Sequence, residues 1–204
     1  MALQITDIQA QKKREGYYSI FVNEEYSFSL SELDLSAANL HIGQTVSEEV
    51  LEELKKRSLV SKAYNRALYY LRYGPRTTAQ MQQYLARKAG FADEEITLAI
   101  TRLIDEGYLD DTAYVESFLE ARQISRPRSK RQLAAELQKK GVSRALVDEK
   151  LSEIGEDSQI QAVLQIAQKK MLLPRFQDKQ KLIEYLMRQG FSYSVIKQAL
   201  AELG

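Results

Sequence analysis

Leu133-Ala-Ala-Glu-Leu137-Gln-Lys-Lys-Gly141-Val142-Ser143 and, 49 residues further on, Leu182-Ile-Glu-Tyr-Leu186-Met-Arg-Gln-Gly190-Phe191-Ser192 carry one pattern twice. Two leucines stand four apart, a glycine follows four residues after the second, and an apolar residue and a serine come next. A third copy precedes them at Met81, Leu85, Gly90 and Phe91, with one extra residue before its glycine. Downstream the copies stay in register. Six residues after each glycine come Ile96, Val147 and Ile196; ten after, Ile100, Leu151 and Leu200; thirteen after, Leu103, Ile154 and Leu203. Offsets of 6, 10 and 13 fall on one face of a helix. Each unit therefore reads as three helices, the second ending at the glycine as a left-handed cap and the third carrying the apolar stripe. The starts are signalled too: Thr77 to Gln80 and Ser129 to Gln132 have capping-box spacing, and Asp178, Ser143 and Ser192 can cap the remaining helices.

Working outward, the N-terminal part has a different period. Tyr18, Ile20 and Val22 alternate on one face, as do Tyr26, Phe28 and Leu30 after the polar turn Asn23-Glu24-Glu25. That is a β-hairpin, with Leu3, Ile5 and Ile8 available as a preceding strand. The period changes at Thr45-Val-Ser-Glu48, which has capping-box form, and Val50, Leu51 and Leu54 follow at helical spacing. The expected fold is mainly α: tandem three-helix repeats stacked into an elongated curved array, with a small N-terminal β-hairpin region. The expected divisions are a hairpin appendage over 1–45, a lead-in helix and first repeat over 46–108, a second repeat over 109–155 and a third over 156–204.

Composition narrows the chemistry. The 204 residues hold no cysteine and a single histidine, His41, so thiol nucleophiles, zinc-thiolate sites and the His-containing hydrolase triad are absent. The glycines are never spaced as in a phosphate-binding loop. Asp110 and Asp111, adjacent just before a helix, fit N-capping better than catalysis. No cofactor or metal is expected. The start lacks a basic flank with an apolar run, and no stretch approaches a membrane span, so a cytoplasmic protein is expected.

Charge is unevenly spread. Residues 1–60 carry 6 basic and 10 acidic side chains, whereas Arg122, Arg126, Arg128, Lys130, Arg131, Lys139, Lys140 and Arg144 share one window with only Glu136. Such density points to an anionic partner, either nucleic acid or an acidic protein face. Pro127 would hold the arginines at a helix start, where their forked donors match phosphate or carboxylate. A second candidate group is aromatic. Tyr69 and Tyr73, flanked by Arg66, Arg72 and Arg76, have the composition of a surface that stacks on single-stranded nucleic acid.

Tyr64-Asn-Arg-Ala-Leu68 with Leu71, Gly74-Pro-Arg-Thr-Thr-Ala79, Gly107-Tyr-Leu-Asp-Asp111 with Tyr114, Arg122, the basic helix Lys130 to Leu137, and Lys140-Gly-Val142 together resemble the RecX family of recombination regulators. The resemblance covers about residues 60–204. It implies a non-enzymatic protein that binds the RecA recombinase and its nucleoprotein filament and mainly inhibits its recombinase, ATPase and coprotease activities in DNA repair; a monomer is expected. In some members it also implies direct binding of single- or double-stranded DNA. A competing reading of the same residues is a direct nucleic-acid-binding protein whose three-helix units act as helix-turn-helix modules.

Overall fold

The computed structural model of the protein describes residues 2–125 and 127–203. Two compact units divide it. The first runs to Pro75 and resumes over Met81–Leu109; the second comprises Arg76–Gln80 and everything from Asp110 onward.

In the first unit, β1 (Leu3–Ala10), β2 (Tyr17–Val22), β3 (Glu25–Ser31) and β4 (Thr45–Val46) form an antiparallel sheet in the order β3-β2-β1-β4. The hairpin of β2 and β3 forms one side of it, with β3 at the edge. Asn23 and Glu24 both have positive φ, the twist that a two-residue hairpin turn requires, and Ile20 faces Phe28 across β2 and β3. Alternation puts Ile5, Ile20, Val22, Phe28 and Leu30 on one buried face. α1 (Glu32–Ala38), capped by Ser31, was not signalled by the sequence: it buries none of its residues, and Leu33 is exposed. The long helix α2 (Glu48–Leu71) starts later than its apparent capping box. Thr45 and Val46 pair with Gln4 and Leu3 as sheet, so Ser47 caps the helix by accepting the Val50 amide. A backbone committed to a ladder cannot serve as a helix cap as well.

α2 serves two cores. Its first half closes the sheet core with Leu51 and Leu54, and its second half packs Ala63, Tyr64 and Ala67 against α3 (Thr78–Arg87) and α4 (Asp93–Asp105). The small residues Ser58 and Ser61 lie between these halves and bond to Ser29 and Asp34.

The second unit contains α5 (Asp111–Ser125), α6 (Lys130–Lys139) and α7 (Arg144–Ser152), followed by α8 (Glu156–Met171), a 3-10 turn at Pro174–Phe176, α9 (Lys179–Gln189) and α10 (Tyr193–Glu202). The repeat is plain in the burial. Met81/Leu85, Leu133/Leu137 and Leu182/Leu186 are buried, as are Ile96, Val147 and Ile196. At each glycine the next residue donates its amide to a leucine carbonyl of the preceding helix: Phe91 to Leu85, Val142 to Leu137 and Phe191 to Leu186. This closure is a Schellman turn in the last two copies and one residue wider in the first, where the extra residue sits. Gly90, Gly141 and Gly190 all have positive φ.

The second unit also holds a joint that recurs. Thr77 and Ser129 both cap their helices and are fully buried, and each hydroxyl donates to the carbonyl just before a glycine: Thr77 to Lys140 and Ser129 to Gln189, both at 2.6 Å. A Cβ on Gly141 would overlap that of Ala79; one on Gly190 would lie 2.7 Å from Arg131 Nε and 2.9 Å from Ser129 Oγ. The third repeat has Asp178 at the corresponding cap. Its carboxylate accepts the Gln180 and Lys181 amides, which hold it below the usual carboxylate range, and as an anion it has no proton to offer a further repeat. Among the described residues no helix is long and apolar enough to cross a membrane.

Candidate functional site

The basic window of the middle repeat forms around the end of α5, the start of α6 and the polar face of α6. The capping box at Ser129 and Gln132 fixes where α6 begins, and thus where Arg128, Lys130 and Arg131 leave the backbone. Arg126 lies outside the described residues.

Much of this charge is already engaged within the second unit. The Glu136 carboxylate takes Arg122 at 2.8 Å on one oxygen and Arg128 at 3.3 Å on the other, with all three side chains about a third exposed. Arg122 also lies 4.9 Å over the Phe118 ring. Arg131 reaches the Arg188 carbonyl at the end of α9 with a 2.9 Å bond. Lys140 stands over the Tyr114 and Phe118 rings. Gln159, buried in α8, accepts the Lys130 amide and donates to the Arg128 carbonyl, tying the start of α6 to the third repeat. Lys139 is exposed on the last turn of α6, whereas Lys130 is half-buried and lines a groove with Glu156, Gln159 and Phe191. The sequence reading favoured the arginines over the lysines as ligand groups; in the structure Arg122, Arg128 and Arg131 are the ones already engaged. A groove of about 240 Å³ lies beside Arg122 and Arg128, lined by Pro127, Leu133, Ile154 and Ala162.

Asp110 and Asp111 bond to different partners. Asp110 accepts the Thr112 and Ala113 amides as the cap of α5, and Asp111 accepts the Thr78 amide.

In the first unit Tyr69 and Tyr73 are exposed at the end of α2. Their hydroxyls bond at 2.8 Å and their rings meet edge to face, which raises the Tyr73 phenol above its ordinary pKa through the shared hydrogen bond. Arg66 and Arg72 flank the Tyr69 ring at 5.7 and 5.9 Å. Tyr70 instead stacks on Tyr84 at 3.9 Å, inside the first-repeat core. Arg76, at the start of the loop before α3, is half-buried and belongs to the second unit. A grouping the sequence did not suggest lies nearby: Arg14, Lys62, Arg66 and Lys88 line one cleft with Asn65, Tyr69 and Phe91. Its members are too far apart in the chain for any local motif, and only the i, i+4 spacing of Lys62 and Arg66 hinted at it.

Sequence models of the RecX N-terminal domain and of the first, second and third RecX three-helix domains match residues 3–47, 63–103, 110–151 and 156–200, in chain order. The chain belongs to the RecX family. It is 33% identical to the regulatory protein RecX of Bacillus licheniformis over 97% of this chain and 76% of that one. A RecX from Lactobacillus johnsonii is 33% identical over 98% of this chain and 72% of its own. Among solved structures, a crystal structure of a regulatory protein RecX superposes with a TM-score of 0.79 at 26% identity, covering 96% of this chain and 99% of that one. RecX from Lactobacillus salivarius gives 0.64 at 26% identity, over 71% and 96% of the two chains. The RecX assignment and the tandem repeats expected from the glycine register thus agree, and the family is a regulatory one.

Proposed function

We propose that this RecX protein binds the RecA recombinase on its DNA filament and restrains it, lowering recombinase, ATPase and coprotease activity in DNA repair without catalysis of its own. The observation that carries the reading is the run of four RecX domains in order along nearly the whole chain. Within the second unit, the exposed Lys139, the half-buried Lys130 and the clamped pair Arg122 and Arg128 form the face best suited to acidic side chains or phosphates of such a filament. Their guanidinium groups are pre-positioned by Glu136, so little side-chain entropy remains to be lost on docking. The chemistry fits a binding protein, because the aspartates and tyrosines with assigned partners serve as caps and packing.

The test is RecA assembly on single-stranded DNA with this protein titrated in. DNA-dependent ATP hydrolysis should fall well before equimolar protein is reached. Unchanged hydrolysis at equimolar protein with a cognate RecA would defeat the reading.

A further inference from the structure

The joint between repeats has two bonds that recur. The cap hydroxyl of one repeat donates to the carbonyl before the next repeat's glycine, Thr77 to Lys140 and Ser129 to Gln189. The first amide after the cap goes to a side-chain oxygen near the start of the next repeat's first helix: Thr78 to Asp111 at 2.8 Å and Lys130 to Gln159 at 3.1 Å. Neither closed joint leaves room for a Cβ on its glycine, Gly141 or Gly190. A hydroxyl-capped helix start is thus the piece that a glycine turn of this chain accepts.

Two halves of such a joint are left over. One is the Gly90 turn of the first repeat. A Cβ on Gly90 would meet no atom within 4 Å, and among the described residues nothing donates to the Ala89 carbonyl before it. Beside the turn lies a cleft of about 570 Å³ lined by Lys88, Ala89 and Phe91 and, from α2, by Lys62, Asn65 and Arg66. The Asn65 amide nitrogen donates to the Tyr17 hydroxyl and the Ser61 carbonyl, which leaves its oxygen for the part that Asp111 and Gln159 play elsewhere. The other half is the start of α9. There Asp178 precedes the buried Leu182 by four residues, as Thr77 precedes Met81 and Ser129 precedes Leu133. Thr77 and Ser129 are fully buried, whereas the Asp178 side chain is 48% exposed and pairs with Lys181 at 3.5 Å.

We propose that the Gly90 turn is the open receiving half of the repeat joint, that a second copy of this chain is the occupant it fits, and that the start of α9 is built so that the two do not close. A second copy is the occupant because this chain supplies the matching piece at every repeat, and only the third lies at an open end. Two properties of that end oppose closure. The Asp178 carboxylate has no proton for the Ala89 carbonyl and would bring one acceptor against another. Lys179 and Lys181 outnumber Asp178, and they would meet a cleft whose charged residues, Arg14, Lys62, Arg66 and Lys88, are all cations. Terminal repeats of a stacked array need such polar ends, since a head-to-tail contact that never closes adds chain to chain without limit.

The experiment moves the first turn of α3 onto α9 in the full chain: Asp178→Thr, Lys179→Thr, Gln180→Ala and Lys181→Gln together, with mass followed by light scattering over a concentration series. Wild type should stay at the mass of one chain, and the grafted chain should climb past twice that mass as concentration rises. Adding Gly90→Ala should return it to one chain, because the new Cβ meets the incoming turn as it would at Gly141. Gly107→Ala, with a φ of 75° against 73° and placed at the other end of α4, should leave the association intact. Asp178→Asn, which keeps a capping oxygen and supplies a donor, should associate only at high salt, where the lysines are screened. A grafted chain that melts cooperatively by circular dichroism yet stays single at every concentration overturns the proposal. So does association that survives Gly90→Ala, association that Gly107→Ala removes equally, or a wild type that associates until Gly90→Ala disperses it. Should the grafted chain not fold, Asp178→Asn decides alone, and a single chain at high salt overturns the proposal. With neither recombinase nor DNA present, the outcome is independent of the filament reading.

Discussion

The protein has two basic regions, and they are built in opposite ways. In the middle repeat eight cations crowd into residues 122–144, but the fold uses many of them: Glu136 holds Arg122 and Arg128, Arg131 closes the end of α9, Arg144 pairs with Asp148, and Lys140 sits over two rings. In the first-unit cleft four cations come from positions 14, 62, 66 and 88, and no carboxylate answers them among the described residues. Charge density along a sequence is therefore a poor guide to charge on offer. Clustered cations tend to acquire partners as helices pack, whereas scattered ones meet only where the fold leaves a hollow. If this contrast is right, changes to the middle repeat register first in stability, and changes to the cleft register first in binding.

The largest effect is expected where the middle repeat meets the third. Gly190→Ala must place a Cβ at a φ of 94° and within 3 Å of Ser129 Oγ and Arg131 Nε, displacing the Ser129–Gln189 and Arg131–Arg188 bonds. Left-handed strain and a lost buried hydrogen bond together amount to about 3 kcal/mol. Gly90→Ala, with open space around it, should cost only the backbone strain of about 1 kcal/mol. Urea unfolding of both variants decides the point. Equal losses would mean that the basic segment's fixed contacts contribute nothing at the joint.

These contacts also mark where sequence reasoning stopped. The three-helix repeats were legible because their signals are local: leucines four apart, a glycine at the helix end and Ser129 or Ser143 at the next start all act within one turn. The identity of the joint was not legible. Thr77 and Ser129 read as ordinary caps, and their second bonds reach 63 and 60 residues along the chain. The cap of α2 was misread because Thr45 satisfies a capping pattern while its backbone is drawn into β4, where tertiary pairing overrides local preference. For the candidate site, the window 122–144 and the exposed Tyr69 and Tyr73 were visible in advance. That Glu136 neutralises two of the arginines was not, because a single acid among eight bases looks negligible until its two oxygens are seen to take one guanidinium each.

A middle-sized effect turns on that same carboxylate. Glu136→Gln removes the anion that holds Arg122 and Arg128, both about a third exposed, and should cost about 1 kcal/mol. It should also release two guanidinium groups to solvent. The comparison then predicts a trade: thermal unfolding moves down slightly while oligo(dT) binding strengthens and its salt slope steepens. A variant with lowered stability but unchanged binding would show that the freed arginines still face inward, and the middle repeat would then be a structural element rather than a latent anion surface.

The smallest effect concerns a cation of the first unit that is partnered, and it probes whether partnering there too shows in stability. Arg102 lies 4.1 Å over the Tyr64 ring and pairs with Glu106 at 2.8 Å, while the Tyr64 hydroxyl donates to the other Glu106 oxygen. Burial, followed by the hydrogen bond to Glu106, pushes the Tyr64 phenol from its ordinary 10.0 up to about 12. The native fold thus favours the neutral phenol, so its contribution is complete below pH 10 and is lost as pH rises from 10 toward about 12. Glu106 moves the other way: the Tyr64 bond, and then Arg102, hold it below its ordinary 4.5, so its contribution is present above that value and fades as pH falls beneath it. Tyr64→Phe removes the titrating phenol and half of the Glu106 anchorage together. Relative to wild type, the variant should lose less stability between pH 10 and 12 and also less below pH 4.5, with its deficit greatest in the neutral range between. A deficit independent of pH would assign Tyr64 to packing alone, and the Arg102 pair would then be surface charge that the fold does not use.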